Sequence, residues 1–252
     1  MRTKLVLPVL MLAATVYLYP QQSQALQFTP TDQEWAKWPD YCRARFVVSG
    51  KGRSSTRHEN DADVKAWEAK MGPDAWYGLH HHCAGLAYLQ RGLSLPPGVK
   101  RDGNIEAAVR NHEYMLKNLP SAHFLYPDVV ANLAAAYIAW GKPDKAFESL
   151  DKAIEAQPES PVPYINKARL QKKMGDASKS RQTLEAADMA TKGTSAEIKY
   201  ALGLDYFKAN DLQRAQSYAR EAYALGYPLP WLRDQLRSKG LSVDPLPAVK
   251  TP

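Results

Sequence analysis

Apolar residues recur at helical spacing along most of this chain, and the spacing is cleanest between Pro127 and Ser160. Val130, Leu133, Ala134 and Tyr137 stand at i, i+3, i+4 and i+7, on one face of a helix. Gly141 follows as a turn, and Ala146, Leu150 and Ala153 mark one face of a second helix that Pro158 stops. The layout returns with a 34-residue period. From Pro161 to Thr194 it keeps Tyr164, Ala168, Gly175, Leu184 and Ala187, but has Lys167 and Gln171 at two apolar places. From Ala196 it recovers Leu202, Gly203, Tyr206, Ala215, Ala219 and Ala222, and ends near Tyr227-Pro228. An earlier block begins near Gly78 with Gly85, Tyr88 and Gly92. Leu93 to Asn104, with Pro96-Pro97-Gly98 and Asp102-Gly103, reads as an insertion, after which Ala108, Met115 and Pro120 resume the frame.

The flanks carry weaker patterns. Thr31 and Glu34 are spaced as a capping box, with Trp35 and Trp38 behind them and Pro39 as a stop. Tyr41 to Val48 is moderately apolar, and Gly50 to Asn60 reads as an exposed mobile loop. Asp61 to Met71 predicts a helix bearing Val64, Trp67 and Met71, and Gly72-Pro73 breaks it. Trp231 to Lys239 predicts a final helix, and the proline-bearing residues after it predict a disordered tail. At the other end, Arg2 and Lys4 precede an uncharged run from Leu5 to Tyr19, then Pro20 and Ser23-Gln24-Ala25. That order is the order of a secretory signal cleaved after Ala25. The run is shorter than the roughly 18–20 residues a spanning helix needs, so no stable membrane span is expected after cleavage. The expected organisation is a signal at 1–25, an extension at 26–77, repeats at 78–228, a capping helix at 229–241 and a tail at 242–252.

In the Pro127 block, Val130, Leu133, Ala134, Tyr137, Gly141, Ala146, Leu150, Ala153 and Pro158 occupy positions 4, 7, 8, 11, 15, 20, 24, 27 and 32. These are the marked positions of the tetratricopeptide repeat, and the chain resembles that family over roughly residues 78–228. The resemblance implies an all-α fold, a right-handed α-solenoid of about four helix-turn-helix repeats, ended by a cap with a polar outer face. It also implies that the first helix of each repeat lines a concave groove, mainly through positions 2, 5, 9, 12 and 13. Carried over, the groove residues are Leu79, His82, Leu86 and Leu89, then Ala135 and Ile138. Ile165, Arg169, Lys172 and Lys173 follow, then Tyr200, Leu204, Phe207 and Lys208. The groove is then apolar at its start and centre, with a basic sector of Arg169, Lys172, Lys173 and Lys208. Such a surface fits another protein's extended or helical segment with apolar anchors and an acidic end. Two alternatives stay open. The groove apolars pack against residues 26–77 of the same chain, whose Trp35, Trp38 and Trp67 need a surface, or Lys172 and Lys173 are simply a solvated helix end. Position 9 is Leu86, Ala135, Arg169 and Leu204, so the asparagine of the chaperone-binding members is missing.

Charge and chemistry narrow the reading further. The 252 residues carry a formal charge of +7, which loss of Arg2 and Lys4 with the signal lowers to +5. The Lys and Arg are scattered rather than laid in a stripe, which argues against nucleic acid. Cys42 and Cys83 are the two cysteines, and an exported chain permits their pairing as a disulfide. Two thiols or metal ligation are the alternatives. His80-His81-His82-Cys83 is the one cluster with ligand chemistry. Consecutive helical residues point about 100° apart, so only His80 and Cys83, at i and i+3, share a face. Haem-attachment, zinc-protease, phosphate-loop and serine-elbow motifs are all missing, so neither a cofactor nor catalysis is expected. The expectation is a non-catalytic periplasmic scaffold, with a metal- or redox-responsive binding protein and an accessory subunit of an envelope enzyme as rivals. Oligomeric state is open.

Overall fold

The computed structural model describes residues 28–48 and 61–243. The expected signal, the Gly50–Asn60 loop and residues 244–252 lie outside them. The described residues form helices and no strands. In chain order these are α1 (Asp32–Lys37), α2 (Asp40–Val48), α3 (Ala62–Met71), α4 (Pro73–Ser94), α5 (Val99–Asn118) and α6 (Tyr126–Ala139). Then come α7 (Pro143–Ala156), α8 (Pro161–Lys173), α9 (Ala177–Ala190), α10 (Ala196–Lys208), α11 (Leu212–Ala224) and α12 (Trp231–Ser238).

Local chemistry sets the ends of these helices. Thr31 and Glu34 form the reciprocal capping box of α1. Proline opens α4, α6, α7 and α8, where the missing N–H has no intrahelical partner to lose. At the other end the same stop recurs. Gly141, Gly175, Asn210 and Gly226 have positive φ, and the next N–H reaches back to the carbonyl five residues earlier: Lys142 to Tyr137, Asp176 to Gln171, Asp211 to Tyr206 and Tyr227 to Ala222. This left-handed stop reverses the chain within a few residues and so sets the α6–α7, α8–α9 and α10–α11 hairpins as antiparallel. Asn210 stands at the position where the other repeats have glycine, and asparagine is the side chain that best tolerates that conformation.

From α2 onward each helix packs on its chain neighbour, and α4, α6, α8, α10 and α12 also pack on one another in series. That second set of contacts makes an α-solenoid with the first helices of the hairpins as its inner layer. Small residues permit it. Ala134, Ala146 and Ala153 are buried in one hairpin, and Ala168, Ala187, Gly203, Ala215, Ala219 and Ala222 in those that follow. The odd residues of the third block are satisfied by partners. Lys167 Nζ donates to Asp151 at 2.5 Å, and Thr183 Oγ1 donates to Gln171 at 2.8 Å.

Two expectations are corrected. The supposed insertion Leu93–Asn104 is mostly helix, because α4 runs on to Ser94 and α5 starts at Val99. The extra residues lengthen both helices of the first hairpin, and Ile105 near the start of α5 is fully buried. Apolar burial outweighs the turn tendency of Asp102-Gly103, and only the Pro96-Pro97-Gly98 bend remains. The expected tail is also anchored at its start. Val243 is fully buried in the last core cluster, and the Ser242 carbonyl accepts from Gln216 and Arg220.

The residues at 28–71 continue the stack. The α2–α3 hairpin contacts α4 through both its helices, the same pairing by which α4 and α5 contact α6. Phe28, Trp38, Cys42, Ala44 and Phe46 share a core with Trp76, Leu79, Cys83 and Ala87 of α4.

Gly85 shows how closely the first hairpin is packed. A Cβ there would lie 2.7–3.0 Å from three atoms of the His112 ring. Gly85→Ala is expected to lower stability by about 1–3 kcal/mol despite the better helix propensity of alanine, and urea unfolding of the two proteins measures it.

Candidate docking groove

The inner helices leave two adjacent hollows. The larger, about 560 Å³, lies between α1 and the second half of α4. Gln33, Glu34 and Lys37 face Leu86, Leu89 and Gln90 across it. The second, about 360 Å³, lies between α4, α5, α6 and α8. Its apolar floor includes Ala131, Ala135, Ile138 and Leu170, and Arg101, Arg169 and Lys173 stand around it. Leu93 lines both, so the two lie side by side along the inner layer. Leu93 is 62% exposed, an apolar side chain left largely open to water.

The cations of the second hollow differ in how they are held. Arg101 Nη2 donates to the Ala139 carbonyl at 2.9 Å, which ties the guanidinium to the end of α6. Arg169 Nη1 donates to Asn166 Oδ1 at 3.2 Å. Among the described residues no carboxylate is paired with Arg169 or Lys173. Lys172 is different. Its ammonium donates to Asp205 at 2.6 Å, and Arg181 donates to the other oxygen at 2.7 Å. Burial raises the pKa of the Asp205 carboxyl, but the two cations outweigh it and leave the pKa below its ordinary value.

The residues expected to line a groove therefore divide. Leu86 and Leu89 line the first hollow, and Ala135, Ile138, Arg169 and Lys173 come together on the second. Ile165, Leu204 and Phe207 are half-buried against the last core cluster, and Lys208 is exposed. Four assignments are corrected. Leu79 and His82 are fully buried because the α2–α3 hairpin stacks on α4, so neither reaches a partner. Tyr200 is covered by Tyr227, whose ring stacks on it with centroids 4.0 Å apart. Lys172 is exposed, but its ammonium is already paired with Asp205 and it does not line either hollow. Arg101, which faces the second hollow, was hidden in the supposed insertion. The helical spacing of Ile105, Ala108, Val109 and His112 was the signal that could have found it.

The ligand pair His80 and Cys83 is corrected too. The Cys83 sulfur is bonded to Cys42, with Cα atoms 5.6 Å apart, and offers no thiolate. His80 Nδ1 donates to the Tyr77 carbonyl at 2.9 Å, and among the described residues no group of three or more His, Cys, Asp or Glu gathers for a metal. Beside the disulfide, Arg91 grips Glu34 through Nε and Nη2 at 2.6 and 2.8 Å and holds α1 to α4. Burial pushes the Glu34 carboxyl up, and this grip more than offsets it.

Residues 139–204 match the family model described as tetratricopeptide repeat. That segment of the chain contains tetratricopeptide repeats. Among solved structures it is similar to a thermophilic TPR protein of Thermus thermophilus, at 18% identity, covering 66% of this chain and 93% of that one, with a TM-score of 0.44. It is also similar to MamA of Desulfovibrio magneticus, at 20% identity, 66% and 83% coverage and a TM-score of 0.40. No curated protein matches the sequence. A tetratricopeptide-repeat fold is in general that of a non-catalytic scaffold for protein–protein interaction. No helix of the described residues is long and apolar enough to cross a membrane.

Cys42 and Cys83 are 41 residues apart and bind the N-terminal hairpin to the first repeat. Replacing both by alanine is expected to cost about 3–4 kcal/mol by the loop-entropy argument, read as a lower denaturant midpoint for the variant than for the oxidised protein.

Proposed function

We propose that this protein is an exported, periplasmic scaffold that holds a segment of a partner protein along the inner layer from Leu86 to Lys173. The second hollow carries the reading. An apolar floor of small side chains leaves room for a partner's apolar anchor, and Arg101, Arg169 and Lys173 beside it favour an acidic group at that end. The basic start and apolar run of residues 1–25, read as an export signal, support the compartment. A role in assembling an envelope or secretion system rests on what such scaffolds do elsewhere. The half-buried Ile138 and the exposed Ala135 add contact area next to the cations, so the anchor and the acidic group would lie within a few residues of each other in the partner.

The test uses an array of peptides with apolar anchors followed by acidic or neutral ends, and the hits are measured by fluorescence anisotropy. Acidic-ended peptides are expected to bind, with affinity falling as salt rises. Arg169→Glu/Lys173→Glu is expected to weaken them tenfold or more while far-UV circular dichroism is unchanged. Equal binding of neutral-ended peptides, or unaltered binding by the charge-reversed variant, would remove the basic sector from the reading.

A further inference from the structure

Two histidines at the joint between the α2–α3 hairpin and the first repeat have no part in the groove. His82 of α4 and His112 of α5 are both fully buried. Their Nδ1 atoms are 3.2 Å apart, so one proton lies between them. The Tyr41 hydroxyl of α2 is 3.4 Å from His82 Nε2 and is the only cover on that side with a polar atom in reach among the described residues. His112 Nε2 is buried without a partner. Either way the shared proton is assigned, both rings are neutral, and among the described residues no carboxylate is paired with either ring to balance a further proton.

The surroundings offer no compensation. From α2, Arg45 is bound to the Trp76 carbonyl and opposes positive charge on the neighbouring His81. From α3, Trp67 packs on Tyr41 with Lys70 over its other side. On α4, His81 is tied to Asn111 of α5, and Cys83 is in the disulfide. On α5, Glu113 accepts from the Tyr137 hydroxyl. The carboxylate nearest in effect is Asp128 of α6, which acts on the Tyr41 phenol.

We propose that the His82–His112 pair makes this joint acid-sensitive: a proton on either ring leaves a buried charge with no carboxylate beside it, and hydrating that charge admits water past Tyr41 and loosens α1–α3 from α4, with the Cys42–Cys83 bond as the pivot. The cheapest route for water is the Tyr41 side, because the opposite side is the closely packed α4–α5 interface where Gly85 meets the His112 ring. Opening bares Leu79 and Ala87, which the hairpin covers at neutral pH. The disulfide keeps the hairpin attached, so the change reverses when the pH returns.

The sign follows from linkage. Burial pushes the His82 pKa down to about 4 in the closed joint, and burial with the charge of His82 holds that of His112 well below its ordinary value. In the open joint both return toward about 6.5, so the open form binds more protons. The closed form is favoured above about pH 6.5 and loses ground as the pH falls. Asp128 works the other way, because burial raises its carboxyl pKa and protonation then favours the closed form.

Hydrogen–deuterium exchange of the oxidised full chain at pH 7.5 and 5.0, corrected for the intrinsic rate, tests this. For one ring moving from about 6.5 to the His82 value of about 4, protection of the α2 and α3 amides is expected to fall about 30-fold at pH 5.0. The α10 and α11 amides keep their protection, and His82→Gln/His112→Gln abolishes the difference. Unchanged α2 and α3 protection overturns the proposal, as does loss of α4–α5 protection in step with them, which is unfolding of the whole repeat. Selective loosening that survives in the double variant assigns the effect to another group and overturns it equally. The wild-type comparison decides the first two outcomes even if the double variant does not fold.

Discussion

An isolated hairpin of two short amphipathic helices has more apolar surface than it can cover by itself. Its two helices hide one face from each other, and the faces toward the preceding and following hairpins remain. Everything else in this molecule answers that constraint. The second, third and fourth repeats cover one another through α6, α8 and α10, and the two ends need closing by something that is not a standard repeat. At the C-terminal end α12 does this with Leu232 and Leu236, both fully buried, while Trp231 and Arg237 stay outward. At the N-terminal end the α2–α3 hairpin takes the place of a further repeat.

Stacking also decides where polar groups are tolerated. Asp205 sits on an inner helix between two hairpins, nearly out of water, and is kept charged by Lys172 from one side and Arg181 from the other. Lys199 is likewise enclosed and meets Asp188 and Glu221. Removing one member of such a group leaves a buried charge without compensation, which costs more than the pair contributes when intact. These contacts set the register between adjacent hairpins, and apolar packing alone would tolerate sliding.

The two halves of the inner surface end up differently covered. Toward the N-terminus the face of α4 is occupied by the chain's own aromatic residues, the disulfide and the Glu34–Arg91 pair. Toward the centre, small side chains on α6 leave a hollow, and long basic side chains from α5 and α8 reach its edge. The open part of the inner surface therefore begins where the covered part of α4 ends, near Leu86 and Leu93.

The repeat was legible in the sequence because its causes are local. Helical spacing places Val130, Leu133, Ala134 and Tyr137 on one face whatever surrounds them. Gly141 and Gly175 end helices through backbone freedom that belongs to the residue itself. The lining of the second hollow was legible in part: Ala135, Ile138, Arg169 and Lys173 follow from their places in the repeat. The rest depended on partners distant in the chain. Lys172 and Lys173 are adjacent and chemically alike, and only the approach of Asp205 separates an ion-paired cation from an open one. Leu79 and Leu86 hold similar places on α4, and only the stacking of α2–α3 buries one fully. Asp102-Gly103 reads as a turn until the long face of α4 is there to pack Ile105. Local propensity and periodicity thus determined the hairpins and their order. Which of their side chains face a neighbour and which face water was decided by packing between segments far apart in sequence, since burial is a property of the assembled surface and not of the residue.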